Sequence, residues 1–183
     1  LGEWVIRELK PAEGYLANKE QYLVTIRENE EVVEIKVFND RIPKIGTTAT
    51  IQGKKEAVAT KIIVLKDKVS YKHLIPGKKY VLKGILMDKK TGKPFLINGK
   101  KVQSETAFKP KRAGGKVTVV FTFDGTKIAK ETDIVVFETL YCDGVELTAH
   151  ADIKDQGQTV TIKLPVPEIP QTGDCSMMGF FIG

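Results

Sequence analysis

From residue 1 to about residue 165, apolar side chains return at every second position, and Gly, Pro, Asn or Asp interrupts each run. A helix buries residues three and four apart, so this spacing excludes long helices and predicts short strands joined by turns. Val117, Val119, Phe121 and Phe123 share one strand face, and Tyr80, Leu82 and Leu86 share another. Val33, Ile35 and Val37 share a third, which Asn39 continues. Phe95-Leu96-Ile97-Asn98-Gly99-Lys100 is the strongest hairpin signal, because Asn-Gly supplies the two positive φ angles of a type I′ turn. Asp124-Gly125 and Asp143-Gly144 mark further turns. The expected fold class is all-β: Ig-like β-sandwich domains in tandem, the first incomplete.

The 183 residues have room for one domain and part of another. A boundary is expected at Asp40-Arg41-Ile42-Pro43-Lys44, where a strand ends and a proline precedes the next. Residues 1–41 hold about three strands, too few to close a core. Residues 45–164 make a complete sandwich, and 165–183 form a Pro-rich spacer with a short apolar end, Met177 to Gly183. That end is shorter than the roughly 20 residues of a membrane span. Leu1-Gly2-Glu3-Trp4 begins in mid-strand with no secretion signal, so an N-terminally incomplete chain is expected.

A net charge of +6 raises the question of nucleic acid. The lysines fall in turns and at alternate strand positions, as in Lys54-Lys55 and Lys89-Lys90, and are not interleaved with aromatics. Solvated sheet faces explain that pattern, so no nucleic-acid partner is expected. Cys142 and Cys175 have neither metal-ligand spacing nor a CxxC arrangement, and no cofactor or metal is expected.

The strand phases point two polar side chains into the core. Thr47 shares a face with Ile45, Ala49 and Ile51; Gln158 shares one with Val160, Ile162 and Leu164. If the first and last strands of this domain meet, Thr47 and Gln158 form either a buried hydrogen bond or something stronger. Glu138 is in phase with Ile134 and Val136, an awkward place for a lone carboxylate. Asp67 is expected at the start of a strand. His150, eight positions before Gln158, is in phase with Glu146, Thr148 and Asp152, the polar side of its strand.

In order and spacing, Ile45-x-Thr47-x-Ala49, Tyr80 to Met87, Val135-Val136-Phe137-Glu138 and His150-x7-Gln158-Thr159-Val160 resemble the VaFE-type, intramolecular-ester domains of Gram-positive surface proteins. Val136 stands where that signature has Ala. The resemblance implies Thr47 as nucleophile and Gln158 as acyl donor, the latter losing ammonia. Such a reaction needs a base for the hydroxyl and a group that polarises the carboxamide. It implies His150 as the base, imidazole being the side chain that titrates near neutrality. Asp67 and Glu138 would assist as a pair sharing a proton. The reaction happens once per chain, so it is maturation and not enzymatic turnover.

Glu8-Leu9-Lys10-Pro11-Ala12-Glu13-Gly14-Tyr15 resembles the collagen-adhesin B-type (CnaB) domain, with the two middle residues exchanged. That resemblance implies Glu8 as a catalytic acid and Asn39 as the acceptor of an isopeptide bond, its lysine coming from a strand upstream of Leu1. Asn39 also reads simply as a turn residue. Ile169-Pro170-Gln171-Thr172-Gly173 resembles the Leu-Pro-x-Thr-Gly sorting signal, with Ile for Leu. It implies sortase and peptidoglycan as partners, with covalent anchoring outside a Gram-positive cell.

The expected function is the stalk of a wall-anchored adhesin, whose host ligand would be bound by further N-terminal domains. A sortase-assembled pilus subunit, with Lys44 as a candidate polymerisation residue, is the near variant. A hydrolase using His150 with Asp67 and Glu138 is the alternative of another class, and it requires an open cleft around Thr47.

Overall fold

In the computed structural model, which describes residues 1–167, alternation and turn chemistry yield fourteen strands and no α-helix among the described residues. The front hairpin is β1 (Gly2–Arg7) and β2 (Gln21–Ile26), a two-stranded antiparallel sheet of its own. The strands that follow are β3 (Lys44–Ile51), β4 (Glu56–Val58), β5 (Ile63–Lys72), β6 (Tyr80–Asp88) and β7 (Lys93–Pro94). Next come β8 (Leu96–Ile97), β9 (Lys100–Lys101), β10 (Gln103–Phe108) and β11 (Gly115–Phe123). A single 3-10 turn capped by Asp124 leads to β12 (Thr132–Cys142), β13 (Val145–His150) and β14 (Thr159–Lys163).

Two sheets enclose the core. One runs β10-β6-β12-β14-β4, with β13 also on β12 and β7 on β6; the other runs β11-β5-β3. Leu82, Leu86, Ile134, Val136 and Leu140 of the first meet Leu65, Val69, Val119 and Phe121 of the second. Each set lies at every second position, which is the alternation read from sequence. The Asn-Gly hairpin forms as expected: Ile97 pairs with Lys100, and Asn98 and Gly99 have φ of 51° and 76°. Asp143 and Gly144, with φ of 51° and 78°, make the β12–β13 turn. Asp124-Gly125 instead opens the 3-10 turn, Asp124 accepting from the Thr126 N–H.

Three local expectations are corrected. Residues 31–40 form no strand; their contacts with the hairpin are single bonds, such as Leu16 N–H to Asp40 O at 2.8 Å. No neighbouring strand offers them a ladder, and apolar alternation alone cannot hold an extended segment. Asp67 lies in the middle of β5 and not at its start. Leu164 lies past the end of β14 and is 41% exposed, because the sandwich stops one residue earlier. Cys175, the apolar end and Ile169 to Gly173 lie outside the described residues.

Candidate functional site

The large sheet has a seam along one edge of β12. β14 pairs with Thr132 to Val135, and β13 pairs with Glu138 to Cys142. Gln158 leads into β14 at this seam, its carbonyl accepting from the Val136 N–H at 3.1 Å, and His150 ends β13 opposite Glu138. Strand β3 of the other sheet closes over the gap: the Ala49 N–H donates to the Gly157 carbonyl at 3.0 Å. Thr47, two residues before Ala49, is thereby brought beside Gln158, two strands that lie at opposite ends of the domain sequence.

The inward phases hold. Thr47 is buried, and Asp67, Glu138 and Gln158 are fully buried. Asp67 shares the inner face of β5 with Leu65 and Val69, and pairs across the ladder with Ala49. Glu138 pairs with Gly84 of β6. A Cβ at Gly84 would lie 2.5 Å from both Glu138 Oε1 and Phe121 Cζ, so the missing side chain makes the space the carboxyl occupies.

His150 departs from the phase argument. Between Leu140 and Tyr141 the β12–β13 register shifts, Leu140 facing Thr148 but Tyr141 facing Glu146. Cross-strand partners share a face, so the bulge at Leu147 leaves Glu146 outward with Tyr141 and turns Thr148 and His150 inward with Leu140 and Glu138. His150 is half-buried, its Nε2 2.7 Å from Asp155 Oδ2 and its Nδ1 3.5 Å from the Ile45 carbonyl. Neither ring nitrogen bonds to Thr47. The Gln158 Nε2 donates to the His150 carbonyl at 3.4 Å, so the carboxamide nitrogen points toward His150.

Asp155 was missed from sequence. It lies in a turn where Asp152 and Asp155 each accept a backbone N–H two residues on, from Lys154 and Gly157. An Asp-x-Gly turn just before a candidate acyl donor was a usable signal. Burial pushes the Asp155 carboxyl up, but bonds from His150 and the Gly157 and Gln158 backbone pull it below its ordinary value.

The two inner carboxyls titrate as a pair. Burial first, then the charge of Asp67 and the bond to it, push Glu138 up to about 9. Burial also pushes Asp67 up to about 6, held there by Glu138, Thr47, His150 and Lys55, which stabilise its anion. Both carboxyls are thus raised, Glu138 the further of the two, so the pair retains a proton near neutrality. Even so, Thr47 Oγ1, both oxygens of Asp67 and Glu138, and Gln158 Oε1 are sealed from solvent without a hydrogen bond of good geometry. The one other side-chain atom in that condition among the described residues is Asn39 Oδ1.

Asn39 and Glu8, the front pair, are also brought together. Asn39 Nδ2 donates to Glu8 Oε1 at 2.6 Å, and Glu8 Oε2 accepts the Asn18 N–H at 2.7 Å. Asn18 was not anticipated; its role as a backbone donor left no mark in the alternation.

The T-Q ester bond containing domain model matches residues 43–162. No curated protein matches the chain in sequence. Among solved structures it is similar to a bacterial adhesin from Mobiluncus mulieris that contains intramolecular disulfide, isopeptide and ester bond cross-links. In two crystal forms of that adhesin the identity is 16% and the TM-scores are 0.59 and 0.60. The match covers 68% of this chain and 58% of that one, and at such identity it speaks for the fold alone. The major pilin subunit of Bacillus cereus superposes more loosely, with a TM-score of 0.42 and 15% identity over 89% of this chain and 55% of that one. With most of its length matched by the family model, and with Thr47 and Gln158 both buried, the chain belongs to the T-Q ester bond domain family.

Proposed function

We propose that Thr47 and Gln158 join in an ester, and that the chain is a load-bearing stalk segment of a bacterial surface adhesin. The observation that carries this reading is the cluster of unpartnered buried oxygens on Thr47, Asp67, Glu138 and Gln158. Each orphaned polar atom costs about 1–3 kcal/mol, and folds rarely gather several without a use. Forming the ester consumes the Thr47 hydroxyl and leaves an ester carbonyl, a weaker acceptor than the carboxamide oxygen it replaces.

The protonation states suit that reaction. Protonated Glu138 donates toward the Gln158 carboxamide oxygen, and anionic Asp67 takes the Thr47 proton as the hydroxyl oxygen attacks the carbonyl carbon. A C–O bond forms and the C–N bond breaks. His150, held by Asp155, passes a proton to the departing nitrogen, which leaves as ammonia. No oxidant or cofactor enters the balance. The product is a structural crosslink made once, and the sealing of Thr47 disfavours a hydrolase.

The Glu8–Asn39 contact supports a second crosslink of the isopeptide kind, with Asn39 accepting a lysine amine. Wall anchoring through Ile169 to Gly173, and with it sortase and peptidoglycan as partners, rests on the motif. A pilus subunit is the same chain assembled end to end. Intact mass of the full 183-residue chain tests the central reading: it is expected one ammonia lighter than its sequence, and Thr47→Ala is expected at full mass. An unmodified wild-type mass, with Gln158 recovered as a free carboxamide, would overturn it.

A further inference from the structure

The edge of β3 beside the reacting pair is closed by a side chain that the ester chemistry does not itself use. Ala49 lies two residues after Thr47, and Gly157 lies one before Gln158. The Lys55 ammonium donates to the carbonyls of both, at 2.7 Å to Ala49 and 2.5 Å to Gly157. It reaches them because Gln52 and Gly53, with φ of 50° and 78°, turn β3 back on itself; Ile51 and Lys54 then exchange backbone bonds at 2.9 Å. Lys55 follows, its own carbonyl accepting the Thr161 N–H of β14 at 2.8 Å. Its backbone is therefore fastened to β14 and its ammonium to β3.

We propose that Lys55 is a positioning residue for ester formation: its ammonium ties the strand bearing Thr47 to the segment bearing Gln158. The inference rests on the ester reading above. An edge strand has carbonyls with no ladder partner, and the outer carbonyl of Ala49 would otherwise be one. An ammonium is a compact charge with three rotatable donors, so it can bridge two carbonyls that do not lie in one plane.

The charge has a second consequence. The carboxylates acting on Lys55 are Asp67 of β5 and Asp155 of the turn before β14; burial pulls its pKa down while both of them pull it up. Asp67 in turn is faced by Glu138 of β12, Thr47 of β3, His150 of β13 and Lys55. The cation thus favours the anion of Asp67, the carboxyl to which the ester reading gives the Thr47 proton.

The test uses the full chain collected unfolded in acidic urea, then diluted into native buffer across a range of pH while mass reports ammonia loss. Lys55→Met is expected to slow crosslinking about tenfold, the scale of a lost charge-assisted bond. It is also expected to move the acid limb of the pH–rate profile up by about one pH unit. Lys55→Arg, which keeps charge and donors, should restore both. A Lys55→Met rate and acid limb equal to wild type would overturn the inference, as would uniform slowing with an unmoved limb. Should Lys55→Met fail to fold, Lys55→Gln, neutral but still a donor, reads the same limb. A wild-type chain that never loses ammonia would overturn the ester reading itself, a result separable from any difference between the variants.

Discussion

At the scale of single residues, the site works by placing polar groups where water cannot reach them. Unfolded carboxyls ionise near pH 4. Folded Glu138 holds its proton up to about 9 and Asp67 up to about 6, so between those limits the folded state binds more protons than the unfolded one. Stability then falls as pH rises, by as much as about 1.4 kcal/mol per pH unit for each proton difference. The Thr47→Ala variant, which cannot form the ester, is therefore expected to have a lower urea midpoint at pH 8 than at pH 5. A flat or rising midpoint over that range would mean that the carboxyls are ionised together in the folded chain. In the proposed ester reaction the same pair has a reason to be kept at such expense: one acid would donate and the other accept, a division that solvent would erase.

At the scale of elements, three devices place the groups of the proposed ester reaction. The bulge in β13 turns His150 to the inner face, the gap between β13 and β14 exposes Gln158 to β3, and the bare Cα of Gly84 seats Glu138. The last of these is open to a single-atom change. Gly84→Ala would put a methyl group into Glu138 and Phe121, neither of which can withdraw from a packed core. It is expected to destabilise the domain by about 1–3 kcal/mol and to slow crosslinking as the carboxyl is displaced. Denaturant unfolding and the time course of ammonia loss measure the two effects. An alanine variant with unchanged stability and rate would show that the glycine is incidental.

For the molecule as a whole, the proposed ester ties the first long strand of the sandwich to its last. Thr47 and Gln158 enclose a loop of roughly 110 residues, for which a crosslink restricts the unfolded chain by about 4–5 kcal/mol. Tension applied at the two ends of the domain would pass through the covalent bond and leave the sheets unloaded. In single-molecule pulling, Thr47→Ala is expected to release roughly 110 residues at about 3.5 Å each, near 380 Å, when the sandwich opens. The wild-type chain should show no such step. Appearance of the step in a chain whose mass proves the ester present would break the mechanical reading.

Which side chains face the core was legible from one dimension, because a strand repeats every two residues whatever its neighbours. Thr47, Glu138 and Gln158 were found that way, as were the Asn98-Gly99 and Asp143-Gly144 turns, whose geometry is set within a few bonds. His150, Asp155, Gly84 and Lys55 were not placed by that logic. Their positions depend on a register shift, a gap between two strands and the closure of one sheet over another, the last of which joins residues a hundred positions apart. The segment 31–40 makes the same point in reverse: it carries a strand's alternation and forms none, since a strand exists only where a second chain segment pairs with it.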